Sequence, residues 1–462
     1  MSDTRRERVE QGLTAVLQIE GRAAERFTLA QRMSRYGVPG VAIAVIDDGE
    51  LAWAAGYGDR GQGAGAVQPD SLFQAASISK AVAAVAVLAL VEHGDLDLDA
   101  DVNSSLRSWR LPDSEHTAEQ PVTLRHLLSH TAGLTVPGFP GYPVGAEVPT
   151  VPQVLSGAPP ANTPGLESFA RPGMVAQYSG GGSTLVQLLV ADATGRDFAD
   201  VVADLVLRPF GMTDSAYCQP LTDDMAARAA WAHDATGATV PGGHHVYPEL
   251  QAAGLWTTAP DLARWLLGVH RLLAGDTSGP ISPEMARQMI ERIDPGVFGL
   301  GPEIMGAGPL QRFGHGGANE GYKSMAQALV ARPTGYAILT NGENGTTLVA
   351  EIARAVADEY DMGDLGPDPI RLADVPAETL ASYTGRYSGP FGRPLKLEFV
   401  DDELFSPAPY GRRRMLPLGP TTFLDEETGA TLEVETDGAS VRRIAVLVDG
   451  NELMAFDPMD DE

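Results

Sequence analysis

Val9, Leu13, Val16 and Leu17 recur at helical spacing within a charged segment, which predicts an amphipathic helix over residues 5–35. The period then shortens. Residues 41–46 and 51–55 are apolar runs separated by Asp47-Asp48-Gly49-Glu50, and an Asp-Gly pair between two such runs predicts a tight antiparallel hairpin. From Ser77 to His93 the chain reads as a helix, apolar on every side over residues 81–91, with Gly94 placed to end it in a left-handed conformation. A helix is predicted at 260–273, strands at 308–313, 323–332 and 335–340, and an amphipathic helix at 346–360.

Between these two ends the pattern is irregular. Residues 136–172 carry nine prolines and five glycines, so no regular element spans them, and a long loop wrapped near a site is expected. Helix and hairpin at one end, with three strands and a helix at the other, complete one antiparallel sheet. The prediction is an α+β domain over residues 1–364, its sheet flanked by helices, with an all-helical insertion at about 77–295. Residues 365–375 are rich in Pro, Gly and Asp and read as a linker. Beyond them, short candidate strands recur about every ten residues, at 383–387, 395–400, 415–418, 431–434, 444–448 and 453–456. An all-β barrel is predicted over 376–462.

With 462 residues, 44% of them hydrophobic and 20% charged, the chain has the composition of a globular protein of several structural units. A net charge of −28 opposes binding to nucleic acid or an anionic membrane, both polyanionic. The longest apolar run, eleven residues at 81–91, falls short of the roughly 20 that cross a bilayer, and no secretory leader is evident. A cytoplasmic location is expected. The single cysteine, Cys218, excludes an intrachain disulfide.

One of only three lysines lies three residues after a serine, in Ser77-Ile78-Ser79-Lys80 at the start of the apolar helix. Residues three apart share a helix face, so the two side chains fall within reach of each other. A capping serine followed by a snorkelling lysine is the alternative reading. Burial of the helix weighs against it, because a buried lysine needs a partner or a task, and burial lowers its pKa toward that of a usable base.

Ser77-Ile78-Ser79-Lys80, then residues 123–134 (TLRHLLSHTAGL), then Tyr178-Ser179, then Gly314-His315-Gly316-Gly317, stand in the order found in the serine β-lactamase and penicillin-binding-protein superfamily. Over roughly residues 20–360 the chain resembles the branch holding class C β-lactamases, D-alanyl-D-alanine carboxypeptidases, D-aminopeptidases and class VIII esterases. The resemblance implies Ser77 as the acylated nucleophile and Lys80 as its base partner. Tyr178 would share the proton with Lys80, as base for acylation and acid for the leaving group. It further implies an oxyanion hole from the backbone N–H groups of Ser77 and Ala318, and substrate binding along His315, Gly316 and Gly317. Two departures stand out. Gly180 replaces an asparagine, which would remove a polar contact and open room in the pocket, and His315 replaces a lysine, which removes a permanent positive anchor for a substrate carboxylate. The C-terminal region is similar to lipocalin-like appendages that support assembly or overhang the active site, which makes homo-oligomers through that domain an expectation.

Other signals fail on their chemistry. Gly56-Tyr57-Gly58-Asp59-Arg60-Gly61 fits a dinucleotide fingerprint but runs into another glycine loop rather than a helix. Asp95, Asp97, Asp99 and Asp101 begin like a calcium loop, but Ala100 and Leu106 stand where glycine and glutamate are required. His126 and His130 lack the glutamate of a zinc protease helix and are expected to pack or cap, while His244-His245 reads as loop. No metal and no cofactor is expected. The resulting expectation is a serine hydrolase that cleaves a small ester or amide through a Ser77 acyl-enzyme, most like a carboxylesterase. The alternatives are a D-stereospecific peptidase, D,D-carboxypeptidase or β-lactamase, a non-catalytic penicillin-type sensor, or an assembly scaffold.

Overall fold

A computed structural model describes residues 2–366, 369–389, 394–408, 410–438, 440–448 and 451–459. Pro367 and Asp368 of the expected linker lie outside the described residues. The chain divides into two compact units, one of residues 1–6, 38–349 and 358–363, the other of 7–37, 350–357 and 364–462.

The expected single helix at 5–35 is two, α1 (Ser2–Gln11) and α2 (Leu29–Tyr36). Between them Leu13 and Phe27 exchange backbone hydrogen bonds, which takes the chain out of the helical path, and Thr28 restarts it with a reciprocal capping box to Gln31. Strands β1 (Gly40–Asp47) and β2 (Glu50–Gly58) form the predicted hairpin, with Asp48 at φ 49° and Gly49 at φ 83° in its two-residue turn. Helix α3 (Ile78–His93) is buried along residues 78–90 and ends on Gly94 at φ 83°.

The central region is not wholly helical. Besides α4 (Gly180–Thr194), α5 (Leu250–Ala253) and α6 (Ala259–Leu273), it carries two small sheets, one joining Phe73–Gln74, Leu255–Thr257 and Ala216–Tyr217, the other Tyr142–Pro143 and His245–Val246. The proline-rich stretch also holds one short helix, Val151–Ser156.

Strands β3 (Glu303–Met305), β4 (Arg312–Asn319), β5 (Tyr322–Leu329) and β6 (Gly335–Thr340) complete a six-stranded antiparallel sheet in the order β2-β1-β6-β5-β4-β3. The sequence places a strand at 308–313, but Gly308–Leu310 is a 3-10 turn. The strand instead runs through the His-Gly-Gly motif. Helix α6 packs on this sheet, α3 packs on β4 and β5, and α7 (Gly345–Glu359) follows β6.

The second unit contains a closed antiparallel barrel of eight strands: β7 (Gly385–Ser388), β8 (Pro394–Val400), β9 (Glu403–Ala408), β10 (Gly411–Pro417), β11 (Thr422–Asp425), β12 (Thr431–Asp437), β13 (Ser440–Val448) and β14 (Asn451–Pro458). Six were foreseen. The other two, β9 and β11, are short, and β9 contains Pro407, which masks its pattern. No helix among the described residues is long and apolar enough to cross a membrane.

Candidate active site

Ser77 occupies the N-terminal position of α3 yet caps nothing. Its hydroxyl therefore stays available, and the Lys80 Nζ lies 3.1 Å from it. Lys80 does not snorkel, being 4% exposed, and its amine donates to the carbonyl of Ala252 at 2.6 Å. Burial lowers the Lys80 pKa to about 7, so near neutrality a large share of the amine is unprotonated. An unprotonated amine can keep its bond to Ala252 while its lone pair accepts the Ser77 proton.

The backbone before Ser77 is held tightly. Ala76 sits at φ 50°, a conformation that costs a residue with a Cβ about 1–3 kcal/mol and persists only where the surroundings enforce it. Ala75 supplies that enforcement, donating to the Leu255 carbonyl at 2.9 Å and accepting from Ser324 Oγ at 3.0 Å. Gly317 completes the contact. A Cβ there would stand 2.2 Å from the Ala75 oxygen and from Ser324 Oγ, so its side-chain space is occupied by the segment leading to Ser77 rather than kept open for substrate. Gly316 is different, since a Cβ there meets nothing closer than Met325 Cε at 3.5 Å. The β3–β4 pairing stops at Gly314, leaving the outer edge of β4 from His315 to the exposed Ala318 without a strand partner among the described residues.

Tyr178 lies just before α4, with its ring centroid 4.9 Å from Lys80 Nζ. Its hydroxyl is buried beside Ser77 but closes no hydrogen bond of normal geometry. Burial pushes its pKa up, opposed by Ser77 and reinforced by Glu303, so the phenol keeps its proton. The ring is fixed by His130, which lies 4.3 Å away between centroids. The His130 carbonyl accepts from Gln177 N–H at 2.9 Å and its Nδ1 from Ser179 N–H at 3.2 Å, so both neighbours of Tyr178 are tied to one residue. Burial, then Lys80 and His315, keep His130 well below the usual histidine pKa. His126 does the capping, with Nδ1 3.2 Å from the Thr123 N–H.

His315 is 4% exposed and stacks among Tyr178 and Phe298, with centroids at 6.1 and 5.7 Å. Its Nδ1 faces the Gly316 carbonyl at 2.5 Å and must carry the proton, which leaves Nε2 as a buried acceptor with no partner. Burial, with Lys80 adding to it, lowers its pKa to about 3. Gly180 starts α4 with its Cβ direction toward Phe139 Cε2 at 3.0 Å and Pro137 O at 3.2 Å, so a side chain there would crowd this loop.

The sequence reading missed His130 as the brace of Tyr178, the Ala252 carbonyl and Phe298. The motif of residues 123–134 did bring His130 into view, whereas a backbone acceptor has no sequence signal. It also missed Glu249, which precedes α5, is fully buried, and has no hydrogen-bond partner on either carboxylate oxygen. Burial raises its pKa to about 7.

The family described as Beta-lactamase matches residues 26–361. Penicillin-binding protein 4 of Amycolatopsis lactamdurans is 27% identical over 80% of this chain and 98% of its own length. Esterase EstB of Burkholderia gladioli is 35% identical over 38% of this chain and 47% of its own. Among solved structures, the octameric penicillin-binding protein homologue from Pyrococcus abyssi superposes with a TM-score of 0.61 at 22% identity, over 94% of this chain and 95% of that one. The fold and the extent of the family match agree, and the protein belongs to the beta-lactamase family, as a hydrolase of the serine β-lactamase fold.

Proposed function

We propose that this protein cleaves small carboxylic esters through an acyl-enzyme on Ser77. The observation that carries the reading is the 3.1 Å approach of a buried, carboxylate-free Lys80 amine to an uncapped serine hydroxyl. Lys80 takes the Ser77 proton as Oγ attacks the carbonyl carbon. The developing oxyanion is received by the N–H groups of Ser77 and Ala318 at the open edge of β4. As the carbon–oxygen bond breaks, the Tyr178 phenol protonates the departing alkoxide and regains a proton from the Lys80 ammonium. The alcohol thus leaves with the Tyr178 proton, a proton from Lys80 restores the phenol, Lys80 returns to the neutral amine, and water then hydrolyses the acyl group.

An ester is favoured over a substrate with a free carboxylate because His315, at a pKa of about 3, carries no charge to anchor one. The partial likeness to an enzyme named an esterase points the same way. The test compares kcat/KM for p-nitrophenyl butyrate, a D-alanyl amide and a chromogenic cephalosporin across roughly pH 5.5–8.5. The ester should be turned over fastest throughout. A faster D-alanyl amide would assign a D-peptidase, and a faster cephalosporin a β-lactamase.

A further inference from the structure

Tyr178 has an acidic neighbour that the acyl transfer does not use. Glu303 opens β3, pairing with Gly314 of β4 on one side and, through a single bridge, with Phe298 on the other. Directly paired residues stand about 4.5–5.5 Å apart at Cβ, so the Glu303 side chain starts beside Phe298. The Phe298 ring in turn lies 5.8 Å from that of Tyr178 and 5.7 Å from that of His315, between centroids. The Glu303 charge reaches the phenol, where it reinforces the raised pKa of Tyr178.

The Glu303 carboxylate is half-buried, its oxygens stay open to solvent, and it accepts no hydrogen bond and no ion pair among the described residues. Burial alone raises its pKa, and no cation stands near enough to oppose the shift. The basic groups around it are committed or uncharged. Arg292 donates to the Gly296 carbonyl at 2.8 Å, and Arg312 of β4 makes no ion pair among the described residues. Burial keeps His130 and His315 neutral, and Lys80, at about 7, is mainly unprotonated at pH 8. Glu291 and Asp294, exposed on the segment before Phe298, add negative charge. The approach to Phe298 therefore favours a cation, which would pair with the carboxylate and lie against the aromatic ring.

In the acyl transfer, Tyr178 hands its proton to the departing alkoxide, so groups beside the phenol border the alcohol half of the ester. We propose that Glu303 and Phe298 select esters of cationic amino alcohols, with the cation held by the Glu303 carboxylate and the Phe298 ring. This rests on the acyl-enzyme reading above and names its substrate class. Glu303 touches the leaving group and not the reacting carbonyl, so it sets specificity and leaves the chemistry to Ser77, Lys80 and Tyr178.

The test compares kcat/KM at pH 8 for butyrylcholine, its uncharged isostere 3,3-dimethylbutyl butyrate, and p-nitrophenyl butyrate as a reference, all of which deliver the same acyl group. Butyrylcholine should exceed its isostere by about tenfold or more, the scale of one partly exposed charge contact with an aromatic neighbour. Glu303→Gln should bring that ratio to within about threefold of one, and Glu303→Lys should place the uncharged ester first. A purely structural role would slow both esters alike and leave the ratio unchanged. Should the variants fail to fold, the wild-type ratio should fall at least threefold between about 0.05 M and about 1 M sodium chloride, where charges are screened beyond roughly 3 Å. Hydrolysis of p-nitrophenyl butyrate with a wild-type ratio near one or below, or a ratio that survives Glu303→Gln, would overturn this proposal and leave the Ser77 reading standing. Failure to hydrolyse any of the three esters would overturn both.

Discussion

The Lys80 amine is held 2.6 Å from the carbonyl oxygen of Ala252, a backbone atom, and no carboxylate pairs with it among the described residues. A lysine tied to a carboxylate would stay charged. One tied to a neutral carbonyl and buried drops to about 7 and can exchange protons with Ser77.

The first prediction follows from that value. The neutral amine is the reactive form, so acylation of Ser77 should be slow below pH 6, rise through a midpoint near 7 and level off above 8. Stopped-flow acylation by an activated ester across this range measures the midpoint. A rate independent of pH between 6 and 8 would remove Lys80 from the role of base.

Gly316 and Gly317 should respond in opposite ways to the same change. Gly317→Ala places a methyl 2.2 Å from the Ala75 oxygen, so β4 or the segment before Ser77 must shift, and activity should fall at least 10²-fold, the scale of a displacement of about 1 Å. Gly316→Ala meets only ordinary contact with Met325 and should retain activity within tenfold. Equal losses in the two variants would mean that both glycines serve the substrate.

His130 stands at φ 57°, so its replacement tests conformation and hydrogen bonding together. Asparagine tolerates this backbone and retains an acceptor for the Ser179 N–H, whereas valine does neither and should cost about 2 kcal/mol or more. His130→Asn should keep the fold with a modest loss in kcat and little change in KM. His130→Val should unfold at clearly lower denaturant. If the two variants match in stability and kcat, His130 does not position Tyr178.

Much of this was legible in the chain. The unbroken apolar run before Gly94 identified α3, and Asp48-Gly49 identified the first hairpin, because both signals are local. The Ser77–Lys80 proximity was equally local, a matter of helical spacing. What was not legible depends on long-range packing. Gly180 reads as opening room in the pocket and Gly317 as a substrate-binding glycine, yet a side chain at either would crowd a segment distant in sequence, Pro137–Phe139 and Ala75 respectively. The break between α1 and α2 was hidden because Leu13 keeps helical spacing while its hydrogen bonds go to Phe27.

Glu249 provides a stability test independent of activity. Its folded pKa, about 7, lies above the ordinary 4.5, so the folded state holds the proton and this contribution is full below about pH 4.5 and lost as pH rises through 7. The wild-type protein should therefore lose on the order of 3 kcal/mol between those limits through this one group. Glu249→Gln removes the titration. The variant should gain stability relative to wild type between pH 5.5 and pH 8 in denaturant unfolding, and a difference that does not change with pH would show that the carboxylate is not buried unpaired.

The acyl-enzyme itself is tested most directly by intact-mass measurement after treatment with a fluorophosphonate, with peptide mapping of the adduct. The wild-type chain should gain one phosphonyl group, located on Ser77, and Ser77→Ala should gain none while remaining folded, since the Ser77 hydroxyl caps no backbone group. An adduct that persists on the alanine variant, or that maps to another residue in the wild-type chain, would contradict the assignment of Ser77 as the nucleophile.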